Sequence, residues 1–212
     1  MTMPFSFTCI DSVNFSIEHA KNGVSKLPIE ILDLPGMSSY KVRHFLNNLC
    51  SRFPKENYME IGCYKGSTLI SAGYQNSIKL LGVDNWSEFD GPEQEFHQNI
   101  QKWLPENNLS FLNQNAFSID PTTIQDKIGI YFYDGSHDVT SQTQAFIHFD
   151  PVFEPVFITI IDDWNMDSVK IGTEAAFRIL KYTILGEWEL PAKFNGDKEN
   201  WWNGLYIAVV RK

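Results

Sequence analysis

Short apolar runs alternate with stretches of helical spacing along most of the chain. From Ser38 or Ser39, either able to cap a helix, Tyr40, Val42, Phe45, Leu46 and Leu49 recur at three- and four-residue spacing up to Arg52, and Pro54 closes that helix. Beyond it the pattern predicts a strand at Tyr58–Ile61, a helix around Ser67–Gly73, a strand at Lys79–Asp84, a helix from Pro92 to Leu104, a strand at Leu109–Asn113 and a third helix within Pro121–Lys127. The runs Ile128–Tyr133 and Phe157–Ile161 are almost continuously apolar, as strands covered by helices on both faces must be. Ser141–Phe149 reads as a helix between them, and a further helix from Ile171 to Ile184 carries Ala175, Ala176, Ile179 and Leu180 on one face. Strands alternating with helices predict an α/β fold with a mostly parallel sheet. Gly186–Phe194 and Gly204–Arg211 are strand-like with no helix between them, which requires a hairpin and an antiparallel edge.

Residues 1–35 break this regularity. They hold Pro4, Pro28 and Pro35 with little sustained periodicity and are expected to form a mobile arm or a lid carrying a short helix, leaving 36–212 as the single domain. The 14% aromatic content supplies material for one packed interior. A net charge of -9 with no Lys/Arg cluster excludes a phosphate-backbone ligand, so no nucleic-acid partner is expected. No stretch approaches the ~20 apolar residues needed to span a bilayer, and the N-terminal residues have no basic leader. Cys9, Cys50 and Cys63 have neither disulfide nor zinc spacing. A cytoplasmic protein with reduced thiols and no membrane partner is the expectation.

The first strand ends in Glu60-Ile-Gly62, and Gly66 and Ser67 open the helix after it. Gly62 suits a tight turn and Gly66 a close backbone approach, a pattern that many nucleotide-binding sheets share. Dinucleotides place a pyrophosphate at this helix start, where a carboxylate such as Glu60 is repulsive. S-adenosylmethionine carries a sulfonium and an ammonium and no phosphate, so the same acid favours it. Asp84 ends the second strand about twenty residues on, where an acid accepts both ribose hydroxyls. Asn115 and Ala116, at the end of the third strand, stand where the adenine edge is read.

Asp134 closes the fourth strand and Asp162-Asp163 close the fifth, at ends that lie side by side next to the cofactor crevice. Three carboxylates brought together unpaired repel one another, and a cation resolves the conflict. All-oxygen ligation favours a hard ion, and Mg2+ leaves positions open to substrate oxygens. Such an ion lowers the pKa of a hydroxyl and fixes its direction for methyl transfer. His137, three residues after Asp134, is placed to take the proton. Asn165, Asp167, Trp201 and Trp202 read better as solvated or packed side chains than as substrate contacts.

The combination Glu60-Ile-Gly-Cys-Tyr-Lys-Gly-Ser-Thr68, Gly82-Val-Asp84, Tyr133-Asp-Gly-Ser-His137, Ile161-Asp-Asp163 and Trp202-Asn-Gly-Leu-Tyr206 resembles class I methyltransferases of the macrocin O-methyltransferase type, from about residue 36 to the C-terminus. The resemblance implies a three-layer, Rossmann-like fold with a seven-stranded, mostly parallel sheet whose last strand is antiparallel. It implies that Glu60, Gly62, Tyr64, Gly66, Ser67, Asp84, Asn115 and Ala116 line S-adenosylmethionine, that Asp134, Asp162 and Asp163 hold Mg2+, and that His137, with Asp134 beside it, performs the acid–base step. The methyl acceptor is then a small hydroxylated molecule, a sugar or a natural product. The large substrate of the family's namesake does not carry over, because no large insertion follows the second strand. A homo-oligomer that completes the pocket stays open, as does a non-catalytic module that binds the cofactor and serves as a sensor or assembly partner.

Overall fold

A computed structural model describes residues 5–104 and 109–212; residues 1–4 of the expected arm lie outside it. Helix α1 (Phe5–Lys21) is followed by a single turn, α2 (Ile29–Leu32), and by α3 (Tyr40–Arg52), which Ser39 caps by accepting from the Val42 N–H. Strand β1 (Asn57–Ile61), α4 (Ser67–Gly73), β2 (Lys79–Asp84), α5 (Glu93–Trp103) and β3 (Leu109–Asn113) come next. Then follow β4 (Ile128–Tyr133), α6 (Val139–Phe149), β5 (Phe153–Ile161), α7 (Asp167–Leu180), β6 (Thr183–Leu190) and β7 (Leu205–Arg211). No helix among the described residues is long and apolar enough to cross a membrane.

The seven strands form one sheet in the order β3-β2-β1-β4-β5-β7-β6. The first five are parallel, and β7 runs antiparallel to both β5 and β6. The hairpin forms the antiparallel edge expected of it, with β6 as the edge strand and β7 between β6 and β5. Burial explains the choice. Leu205 to Val210 are all buried, whereas most of β6 is at least partly exposed, so the apolar strand takes the place with two neighbours.

Alternation along the strands divides the core into two layers. Ile130 and Phe132 of β4 pack with Val13 and Ile17 of α1, Phe45 and Leu49 of α3 and Leu69 of α4. Tyr131 and Tyr133 face the other side, with Phe146 and Phe149 of α6 and Val169 and Phe177 of α7. The segment read as an arm thus contains a 17-residue helix whose Cys9, Val13, Ile17 and Ala20 are buried in the first layer.

Other boundaries shift for local reasons. Residues 121–127 hold only a 3-10 turn at Pro121–Thr123, where Asp120 accepts from the Thr122 N–H and closes the chain too tightly for an α-helix. Helix α7 starts and ends about four residues earlier than its apolar face suggests, and Lys181 stops it in the left-handed conformation. Arg43 is buried and donates to the carbonyls of Ile31, Leu32 and Leu34 and to Ser38 Oγ. Burial pushes its guanidinium down to about 10. This fastens the 31–38 segment, which brings Met37 to the carboxyl edge of the sheet.

Candidate functional site

The sheet order reverses between β1 and β4, so their connections leave in opposite directions and open a crevice at the strand ends. The ladder runs one residue past each strand: Gly62 N–H donates to Val83 O at 2.9 Å, Asp134 N–H to Ile61 O at 2.9 Å and Asp162 N–H to Tyr133 O at 3.1 Å. These bonds set the terminal acids side by side. Above them lies a cavity of about 680 Å³. Its described lining includes Asp84, Glu88, Asp134, Asp162 and Asp163 and contains no Lys or Arg.

Of the eight residues expected around a cofactor, Gly62, Tyr64, Asp84, Asn115 and Ala116 line this cavity. Gly62 has φ +89°, and a Cβ there would stand 1.9 Å from the Asp134 carbonyl oxygen, so only glycine lets β1 and β4 end this close together. Asp84 braces the next turns: its Oδ2 accepts from Tyr64 N–H and its Oδ1 from Trp86 N–H, both at 2.8 Å. Trp86 Nε1 returns a bond to the Tyr64 carbonyl at 2.8 Å. Asn115 Oδ1 accepts from Phe117 N–H at 2.9 Å and caps a short 3-10 turn.

Glu60, Gly66 and Ser67 are not in the lining. The Glu60 side chain lies beneath the cavity floor, fully buried, accepting from the hydroxyls of Tyr58 at 2.6 Å and Thr68 at 2.7 Å. Burial, reinforced by Asp84, pushes its carboxyl up to about 7 against the pull of those donors. Gly66, at φ +83°, starts α4 and packs against the Phe96 ring. Ser67 is covered by Gly36, where a Cβ would come within 2.1 Å of Ser67 Oγ.

Asp134, His137 and Asp163 each present a ligand atom within 4.8 Å of the others. Asp162, expected as the third ligand, lines the same cavity but is not in that group, and His137, expected as a base, is. Strand alternation turns neighbouring residues to opposite sides. Asp163 also takes the left-handed conformation, φ +58°, and His137 Nε2 meets its Oδ2 at 2.6 Å. That bond raises the His137 pKa. Burial and mutual repulsion hold the carboxyls of Asp134 and Asp162 well above the usual range. Asp162 Oδ1 is buried with no hydrogen-bond partner.

Several lining residues had escaped the sequence reading: Met37, Trp86, Phe89, Phe117 and Asn203. Trp202, read as a packing residue, also lines the cavity, while its neighbour Trp201 is buried edge-on to Phe45. Asn165 holds the 192–204 loop through the Ala192 carbonyl and does not face the cavity. Backbone strain marks the site independently: Tyr64, Trp86, Phe89, Asp163 and Trp202 all have φ between +46° and +59° and all line the cavity. A signal for two of the missed groups was available, since Trp86 directly follows the Asp84 turn and Asn203 sits in the Trp-Asn-Gly run.

No family model and no curated protein matches the chain. Solved structures do. The O-methyltransferase TomG of Streptomyces achromogenes, involved in tomaymycin synthesis and solved in complex with SAM, superposes with a TM-score of 0.63 at 14% identity, covering 100% of both chains. An O-methyltransferase of Bacillus cereus in complex with SAH gives 0.62 at 14% identity, over 100% of this chain and 94% of that one. Precorrin 8w decarboxylase of Methanobacterium thermoautotrophicum gives 0.58 at 15% identity, over 90% and 97%. At such identities the likeness establishes the fold, and the chain has the seven-stranded, Rossmann-like methyltransferase fold with an antiparallel C-terminal strand.

Proposed function

We propose that the chain is an S-adenosylmethionine-dependent methyltransferase that methylates a hydroxyl of a small molecule with the help of a divalent cation, Mg2+ by its oxygen-rich donor set. The observation that carries this reading is the charge of the cavity: five acids and no Lys or Arg among its described lining. Such a site repels a pyrophosphate and attracts a sulfonium and an ammonium. The TomG and Bacillus cereus structures, solved with SAM and SAH, support the same choice.

Each residue then has a task. Asp84 faces the cavity at the end of β2, where it would accept ribose hydroxyls, and Ala116 and Phe117, which also line the cavity, would border the base. Asp134 and Asp163 would hold the cation, and the fit is supported by Asp162 Oδ1, a buried acceptor without a donor beside them. When bound, the cation supplies positive charge that stabilises these acids and acidifies an acceptor hydroxyl. S-adenosylmethionine, when bound, would supply an electrophilic methyl group, and His137 would take the proton of the acceptor hydroxyl. Asp163, at 2.6 Å, stabilises the resulting imidazolium.

Calorimetry with S-adenosylmethionine and with NAD tests the cofactor. Binding of NAD alone overturns the proposal. A screen of hydroxylated acceptors with methyl-labelled cofactor, run with Mg2+ and with chelator, tests the rest. Transfer that survives both chelator and Asp163→Ala removes the cation from the mechanism, and cofactor binding with no transfer to any acceptor favours the non-catalytic module.

A further inference from the structure

The 191–204 connection between β6 and β7 is a braced loop. Asp197, itself 2% exposed, accepts from the backbone N–H groups of Lys193, Glu199 and Asn200 and from the Asn200 side chain. It also pairs with Trp202 through two backbone bonds of 3.0 and 3.1 Å. The loop is then tied to the end of β5: Trp164 N–H donates to Gly204 O at 3.0 Å and Asn165 N–H to Asn203 O at 2.9 Å. Asn203 is thus fixed by backbone bonds before its side chain makes any contact.

Its amide has one orientation. Oδ1 accepts from Gly196 N–H at 2.6 Å, which leaves Nδ2 to donate to Asp163 Oδ1 at 2.5 Å. Flipping the amide would face two acceptors with each other at one end and two donors at the other. Asp163 is consequently held at both oxygens, Oδ1 by Asn203 and Oδ2 by His137, although its backbone is in a conformation that non-glycine residues adopt at a cost.

We propose that Asn203 is a positioning residue: it sets the Asp163 carboxylate for cation binding, carrying the order of the β6–β7 loop into the acidic group. The inference rests on the cation reading above. Partners that orient a metal-binding carboxylate usually contribute about 10- to 100-fold to metal affinity.

The test uses Mn2+ alone, followed by calorimetry and by its electron paramagnetic resonance spectrum, with the full chain. Asn203→Ala is expected to weaken Mn2+ binding about 10- to 100-fold and to broaden the spectrum of the bound ion. Asn203→Leu, which keeps the branched shape and removes both hydrogen bonds, should do the same should the alanine variant fail to fold. Asn200→Ala loosens the loop without touching Asp163 and should leave Mn2+ affinity within about twofold. Equal losses in Asn200→Ala and Asn203→Ala would reduce Asn203 to a loop brace, and unchanged affinity in the Asn203 variants would overturn the proposal. Failure of the unaltered chain to bind Mn2+ overturns the cation reading itself, and this inference with it.

Discussion

The carboxyl ends of β1 and β5 both carry a buried acid at the same edge of the sheet, and they use it in different ways. Near the end of β1, Glu60 receives hydrogen bonds from Tyr58 and Thr68 and is buried outside the cavity lining. After β5, Asp162 leaves Oδ1 without a partner and Asp163 turns into the cavity. A buried carboxylate sealed away with its donors holds the fold, whereas an acceptor with no donor, as Asp162 Oδ1 is, or one that lines the cavity, as Asp163 does, is open to a ligand. The glycine turn after β1 is therefore architecture that brings Asp134 into place, and on the proposed function the chemistry falls to the acids at the ends of β4 and β5.

The largest effect that would break this contrast is at Gly62. Gly62→Ala places a methyl group against the Asp134 carbonyl in a left-handed conformation and should destabilise the chain by about 3 kcal/mol, lowering Tm by roughly 6–12 °C and abolishing cofactor binding. An unchanged melting curve would show that the two turns are not interlocked.

Asp163→Ala should behave in the opposite sense. Methyl transfer is expected to fall by about 100-fold or more, while S-adenosylmethionine affinity stays within about twofold and Tm is kept or raised, because one of several repelling carboxylates is gone. A loss of stability comparable with that of Gly62→Ala would place Asp163 on the architectural side.

Glu60 makes its own prediction through pH. Its folded-state pKa of about 7 lies above the usual carboxylate value, so the stability it contributes is full below about pH 4.5 and is lost as pH rises through about 7. Full ionisation costs on the order of 3 kcal/mol. Glu60→Gln should flatten the pH dependence of denaturant unfolding between pH 5 and 8 and leave Mn2+ affinity unaltered; a change in Mn2+ affinity would make Glu60 part of the site. The smallest expected effect is at Ser39, whose loss as the α3 cap should cost about 1 kcal/mol, read as a small drop in Tm with no change in cofactor affinity.

How much could be read in advance follows from the kind of signal each element carries. Helix α4, with β2, β3 and β4, has the boundaries its residues predict, because glycine turns and apolar runs bounded by polar residues are local features. Helix α1 was hidden because Phe7 and Phe15 are exposed beside the buried Cys9, Val13 and Ile17, which blurs the apolar stripe. The acids Asp84, Asp134, Asp162 and Asp163 were legible as strand ends, since sheet topology alone brings them to one edge. Asn203, about forty residues beyond the end of β5, was legible only as part of the Trp-Asn-Gly run and not as a partner of Asp163, because a contact between distant segments leaves no periodic trace.

The amino-acid sequence by itself determined the alternation of strands and helices, the need for glycine at position 62 and the excess of acid at the strand ends, since each depends on near neighbours and on backbone geometry. Only the tertiary structure decided that β7 lies inside the sheet, that Glu60 is sealed away while Asp162 is left without a donor, and that Asn203 and His137 grip Asp163 from two sides. Those outcomes depend on which side chains meet across the fold and on how much water each can reach, quantities that no local stretch of the chain contains.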